Sequence, residues 1–257
     1  MNTPEIIGQR LKEARETVGY TSEDVAQKLG ITKDELSLFE SGRQNPPLSL
    51  LRKLAKLYGV FVSYFYGIDK PEGTAFVLLL DKAKELSLSP ETISQLQRFI
   101  FLCREIVKLR QKLGIPKPEI PQSVDDQANL GEILESKGIP VIRIPLGMEL
   151  SSAMVCDEDF GAFILVNSDC PDKNQLIAQE YARILQGERA HINTKDCPKA
   201  TTQKKNTVPV SKVLWELVLT AVKHGLISTS YAGDVLEISP MEIEELIGGV
   251  YCFSSFI

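Results

Sequence analysis

Residues able to hold a metal or act as a nucleophile–base pair are sparse in this chain of 257 residues. Its two histidines, His191 and His224, have no i, i+4 partner with which a helix could grip an ion. Each reads as a surface or capping residue. Five cysteines, Cys103, Cys156, Cys170, Cys197 and Cys252, form an odd set without a CxxC pair. They read as free thiols of a reducing cytoplasm, and no metal or cofactor is expected. What remains is recognition chemistry. Between Thr21 and Asn45 hydroxyls, amides and cations gather in a helically punctuated stretch, and such groups bond base edges and phosphates.

The elements that would position them follow from local chemistry. Ile6, Ile7, Leu11 and Ala14 form an apolar stripe on a helix that ends near Gly19. Thr21 offers an N-cap, with Asp24 three residues on as its capping-box partner. Val25, Ala26 and Leu29 bury that helix, and Gly30 permits the positive φ of a tight turn. Thr32 caps the next helix, Leu36 and Phe39 face inward, and Gly42 ends it. Asn45-Pro46-Pro47 makes a turn before an amphipathic helix through Leu48, Leu51, Leu54, Ala55 and Leu57. Helix, short turn, helix is the helix-turn-helix arrangement, whose second helix fits a ~12 Å major groove.

The runs Thr21–Thr32 and Leu36–Pro46, with Glu40, Gly42, Asn45 and Pro46 on motif positions, resemble the XRE/Cro-type helix-turn-helix family. The resemblance implies a five-helix domain over residues 1–68 and double-stranded DNA as partner. It turns Lys33, Asp34, Ser37 and Leu38 toward the groove. Ser22, Thr32, Arg43, Gln44 and Asn45 would reach phosphates or nearby base edges. Two positions depart from the family's habit. Ser22 stands where Gln is frequent, and Asp34-Glu35 places two carboxylates on the recognition helix, where Asp34 could accept from a cytosine amine.

Composition agrees with a folded cytoplasmic protein: 43% apolar and 25% charged residues, and no run approaching the ~20 apolar residues of a membrane span. The net charge of −5 does not describe the N-terminal part. Residues 1–69 carry nine basic and nine acidic side chains, and all excess acid lies beyond them. Residues 67–73 read as a Gly/Pro linker, 76–114 as connecting helices, and 115–121, with three prolines, as a stiff connector. After Ser89-Pro90, Ile93, Leu96, Ile100, Cys103 and Val107 recur beside a second stripe, Phe99, Leu102, Ile106, Leu109 and Leu113. Two seams call for two partners, one of them a second protomer, so a homodimer is expected. No internal repeat is visible.

From residue 124 the order is helix, three strands, helix, giving a mainly α chain with a small α+β domain at 124–257. The strands are expected at about 139–145, 152–156 and 162–166. The segments Gly138–Leu146, Gly161–Asp169 and Leu86–Gly114 resemble the ImmA/IrrE-type metallopeptidases, over roughly residues 85–247. That resemblance implies a zincin-like domain with a three-stranded sheet. Active members carry HExxH on the helix after the strands, two His for zinc and a Glu as base. Here the run is Gln179-Glu180-Tyr181-Ala182-Arg183, and only Glu180 remains. Catalysis is not expected. Arg183 is exposed, paired with an acid such as Glu180, or held for an anionic small-molecule or peptide effector. Residues 188–211 read as a long mobile loop. Residues 212–247 read as helices with helix-turn-helix-like geometry, used for core packing because the last is acidic. The apolar end, 250–257, should be docked. The resulting expectation is a transcriptional regulator without enzyme activity; the alternative is an antitoxin or phage-type immunity factor controlled by a protein partner.

Overall fold

The computed structural model describes residues 3–67, 74–124, 129–194 and 210–248. It divides into two compact units, residues 1–101 and 102–257. The first holds α1 (Thr3–Val18), α2 (Ser22–Leu29), α3 (Lys33–Glu40), α4 (Leu48–Tyr58), α5 (Val62–Phe65), α6 (Thr74–Glu85) and the first half of α7 (Pro90–Leu113). α1 packs on α3, α4 and α5, and Leu11, Leu36 and Leu54 have no exposed surface. Arg15 on α1 forks onto Glu40 at the end of α3, Nε to Oε1 at 2.7 Å and Nη2 to Oε2 at 3.0 Å. That bidentate pair fixes the far end of α3.

The first unit continues well past residue 68. Ser94 of α7 donates its hydroxyl to the Leu57 carbonyl at 2.8 Å. The ring of Phe101 meets those of Phe61 and Tyr64 edge-on, with centroids 5.8 and 5.6 Å apart. Gly59, at φ 69°, allows this approach, because a β-carbon there would lie 1.9 Å from the Ser94 carbonyl oxygen.

Both stripes of α7 are spent inside the chain. Ile93, Leu96, Ile100 and Cys103 are buried, as are Phe99, Leu102, Ile106 and Leu109; Val107 and Leu113 are half-buried. The spacing marks a helix surrounded by its own protein, and its two seams are not left open for a second protomer.

The second unit contains α8 (Leu130–Ser136), β1 (Val141–Ile144), β2 (Ser152–Asp157), β3 (Gly161–Asn167), α9 (Lys173–Leu185), β4 (Ala190–Asn193), α10 (Lys212–Lys223), α11 (Thr229–Leu236) and α12 (Pro240–Gly248). The sheet has four strands in the order β1-β3-β2-β4, parallel for β1–β3 and antiparallel elsewhere. β3 is buried along its whole length, as its unbroken Ala-Phe-Ile-Leu-Val run requires. α8 and α9 cover one face through Leu130, Leu134, Ile177, Tyr181 and Ile184, against Met154, Ile164 and Val166.

Two expectations change here. β4 occupies part of the stretch read as a loop: Ala190-His191-Ile192-Asn193 alternates apolar and polar, but over only four residues, and pairing with β2 recruits it into the sheet. Cys170 is disulfide-bonded, whereas Cys103 and Cys156 are free thiols. Odd count and absent CxxC spacing cannot exclude a bridge that the fold creates between distant residues. Cys197, Cys252, most of the expected loop, the linker at 68–73 and the apolar end at 250–257 lie outside the described residues. Among the described residues no helix is long and apolar enough to cross a membrane.

Candidate nucleic-acid interface

α2 and α3 are held by matching devices. The Thr21 hydroxyl accepts from Asp24 N–H at 3.1 Å, and the Asp24 carboxylate accepts from Thr21 N–H at 2.8 Å. Thr32 and Glu35 repeat the exchange at 3.1 and 2.8 Å. Hydrogen bonds from Thr21 and Thr32 hold the Asp24 and Glu35 carboxyls below the usual carboxylate range. Between the helices Gly30 takes a left-handed φ of 69°, and Ile31 N–H returns to the Ala26 carbonyl at 3.1 Å.

α3 therefore shows a defined face to solvent. Lys33, Asp34, Ser37 and Leu38 are all exposed on it. Arg43, Gln44 and Asn45 are exposed just beyond its end, where the N–H groups of Arg43 and Gln44 bond the Leu38 carbonyl at 3.0 and 3.2 Å. Ser22 is half-exposed at the start of α2. Eight of the nine anticipated contacts, counting Thr32, are thus on the surface. The Thr32 hydroxyl already serves the cap, and so does Glu35, which leaves Asp34 as the carboxylate of the pair free of the capping box. Lys33 is engaged as well, in an ion pair with Glu23 of α2. Both partners are well exposed, so water and salt screen the pair and a phosphate can compete for the lysine.

Arg183 is partly exposed and pairs with an acid, Glu188 rather than Glu180, at 2.9 Å. Glu180 is fully buried and accepts from the Ser152 hydroxyl at 2.7 Å. Its other contact is His191 Nδ1 at 3.0 Å, from β4. Gln179 accepts from Asn193 Nδ2 at 3.3 Å. An amide, a buried carboxylate already bonded twice and a permanent cation are not a zinc donor set. His191 is correspondingly an internal partner of Glu180 rather than a surface or capping residue.

A second helix-turn-helix stands at the other end of the chain. Displacing residues 21–40 by 207 positions lands on 228–247, where the N-cap, the left-handed turn and the second capping box recur, while Tyr231 in the place of Asp24 leaves the first box without its reciprocal half. Ser228 caps α11 by accepting from Tyr231 N–H at 3.2 Å, as Thr21 accepts from Asp24. Glu237 takes the left-handed place of Gly30 at φ 59°, and Ile238 N–H returns to the Gly233 carbonyl at 3.1 Å. Ser239 and Glu242 form the exchange of Thr32 and Glu35, at 3.2 and 2.7 Å, and Ile243 is as buried as Leu36. The chain thus repeats one motif with little shared sequence. Its second helix, α12, exposes Pro240, Met241, Glu244 and Glu245 where α3 exposes Lys33, Asp34, Ser37 and Leu38.

Capped helices about a left-handed turn, with a polar outer face on the second helix, define a helix-turn-helix protein. Comparisons with known proteins agree: the helix-turn-helix domain family matches residues 6–61. The HTH-type transcriptional regulator DdrOP3 of Deinococcus deserti is 36% identical over 100 residues, covering 35% of this chain and 77% of that protein. The HTH-type transcriptional regulator ImmR of Bacillus subtilis is 36% identical over 89 residues, 35% of this chain and 63% of its own length. The HTH-type transcriptional regulator PuuR of Escherichia coli is 32% identical over 80 residues, 31% of this chain and 43% of its length. The chain spans less than two thirds of ImmR and of PuuR. No solved structure gives a significant match. This chain belongs to the HTH-type transcriptional regulators.

Proposed function

We propose that the whole protein is a sequence-specific DNA-binding transcriptional regulator, acting as a homodimer on a near-palindromic site. The observation that carries this reading is the outer face of α3, where Lys33, Asp34, Ser37 and Leu38 are exposed beside Arg43, Gln44 and Asn45. Two copies would place their recognition helices in major grooves about one turn, ~34 Å, apart. The second unit is a peptidase-like scaffold of the ImmA/IrrE type, used for sensing or assembly and not for hydrolysis. Supporting this are the bonded states of Gln179, Glu180 and Arg183 and the regulator names of the relatives. The N-terminal domain, the connecting helices and this scaffold divide the work as reader, spacer and effector-responsive body.

Selection of bound sequences from a random DNA pool, followed by a salt titration, tests the reading. A symmetric consensus is expected, with affinity falling linearly in log salt by about 0.9 per phosphate neutralised. Binding no tighter to selected than to scrambled DNA would refute it. Lys33→Ala distinguishes two contact types: a phosphate contact lowers the salt slope by about one, and a base contact costs about 1–3 kcal/mol at one base pair.

A further inference from the structure

The second helix-turn-helix needs a different occupant from the first. Exposed Glu244 and Glu245 stand at its groove-facing stations, with Pro240 and Met241 in place of Lys33 and Asp34. The five residues after Ile247 are Gly, Gly, Val, Tyr and Cys, with none of the Arg and amide groups that follow α3. Phosphate would be repelled by such a face and gain no donor from it. Carboxylates flanking an exposed thioether suit a basic protein surface with an apolar tip, since Met adapts its shape to whatever packs on it. Met241 is 72% exposed, more than any other large apolar side chain described.

This chain carries the complement of that face. α4 exposes Arg52, Lys53 and Lys56, with Leu48 at its start. Leu48, Arg52 and Lys56 recur every four residues and so form one ridge, as Met241 and Glu245 do on α12. Leu48 is 54% exposed, second only to Met241. Each helix thus sets a protruding apolar side chain at its N-terminal end and charges of one sign beyond it, and the two signs are opposite.

We propose that α12 of one copy docks on α4 of a second copy, with Met241 against Leu48 and Glu244 and Glu245 among Lys53, Lys56 and Arg52. In a two-fold dimer the contact is made twice. This supplies the assembly surface that the buried stripes of α7 do not, and it rests on the reading of the protein as a homodimer.

Charge exchange tests it on the full chain. Sedimentation of the wild type up to about 100 μM should show dimer at ~50 mM salt and weaker association at ~500 mM. The variant Glu244→Lys/Glu245→Lys should associate at least about tenfold more weakly, and Lys53→Glu/Lys56→Glu likewise. Mixing these two variants should restore a dimer, because each reversed face then meets its complement. All four positions lie on exposed helix faces; should a reversal disturb folding, Glu244→Gln/Glu245→Gln reads the same loss at smaller amplitude. A wild type that stays monomeric, a salt-insensitive dimer, or a mixture that fails to associate overturns the proposal. Affinity for a single selected half-site is measured on the same variants: its loss with Glu244→Lys/Glu245→Lys would count against the proposal, whereas failure of the wild type to select DNA would count against the regulator reading alone.

Discussion

Residues 21–40 and 228–247 share an N-cap hydroxyl, a left-handed residue at the ninth helical step, a second cap with its glutamate and a buried aliphatic at the heart of the second helix. They differ at the four stations that point outward. α3 offers a cation, a carboxylate, a hydroxyl and a leucine; α12 offers a proline, a methionine and two carboxylates. Backbone geometry is therefore specified by caps, turn and core, and what the motif binds is specified by residues that contribute nothing to that geometry. A helix-turn-helix is a way of presenting one helix, and DNA is only one of the surfaces it can be presented to.

The comparison breaks first at the core. Leu36→Ala and Ile243→Ala should each cost about 2–5 kcal/mol, since both side chains are fully buried at corresponding places. Denaturant unfolding monitored within each unit checks this. A cost confined to one of them would show that the two turns are not held alike. The next effect separates the motifs by their anchors. α3 ends on Glu40 in the grip of Arg15, while Ile247 occupies the corresponding place on α12. Arg15→Ala should cost about 2 kcal/mol, less than a fully buried pair because water reaches both groups, and should weaken DNA binding as α3 loosens.

The first motif was legible from residue order because its signals are local: Thr21, Gly30 and Thr32 punctuate it whatever the rest of the chain does. The second motif carries the same punctuation in disguise. Its turn residue is Glu237 rather than Gly and its caps are serines, yet its helix-turn-helix-like geometry is legible over residues 212–247; the acid on its last helix is what argues for packing over DNA. The partners of Glu180 could not be read at all. Ser152 and His191 reach it only because β2 and β4 pair, with Met154 opposite His191, and pairing between distant strands leaves no mark on either. The stripes of α7 were legible as buried surface, though not which surface would bury them.

The smallest expected effect concerns how the second motif is tied down. The Tyr231 hydroxyl of α11 donates to Glu105 of α7 at 2.9 Å, and burial pushes the Glu105 carboxyl above its usual value of 4.5. A carboxyl raised by folding favours the native state while protonated, so that contribution is present below pH 4.5 and is lost as the pH rises through the native value. Glu105→Gln keeps an acceptor for Tyr231 and removes the charge. It should raise stability at neutral pH, leave it unchanged in acid, and flatten the pH dependence in between, as thermal melts across that range would show. Equal pH dependence in variant and wild type would mean the carboxylate is satisfied where it stands.

The central claim is that α3 reads DNA and α12 does not, although both are built alike. Exchanging their outward residues tests it on one selected duplex, by comparing the affinities of the wild type, Ser37→Glu/Leu38→Glu and Glu244→Ser/Glu245→Leu on a single half-site at fixed salt. The account predicts a loss of about 2–5 kcal/mol for the first exchange, from lost base-edge contact and added repulsion, and none for the second. Selective binding that survives acid on α3, or that changes when α12 loses its acid, would contradict it.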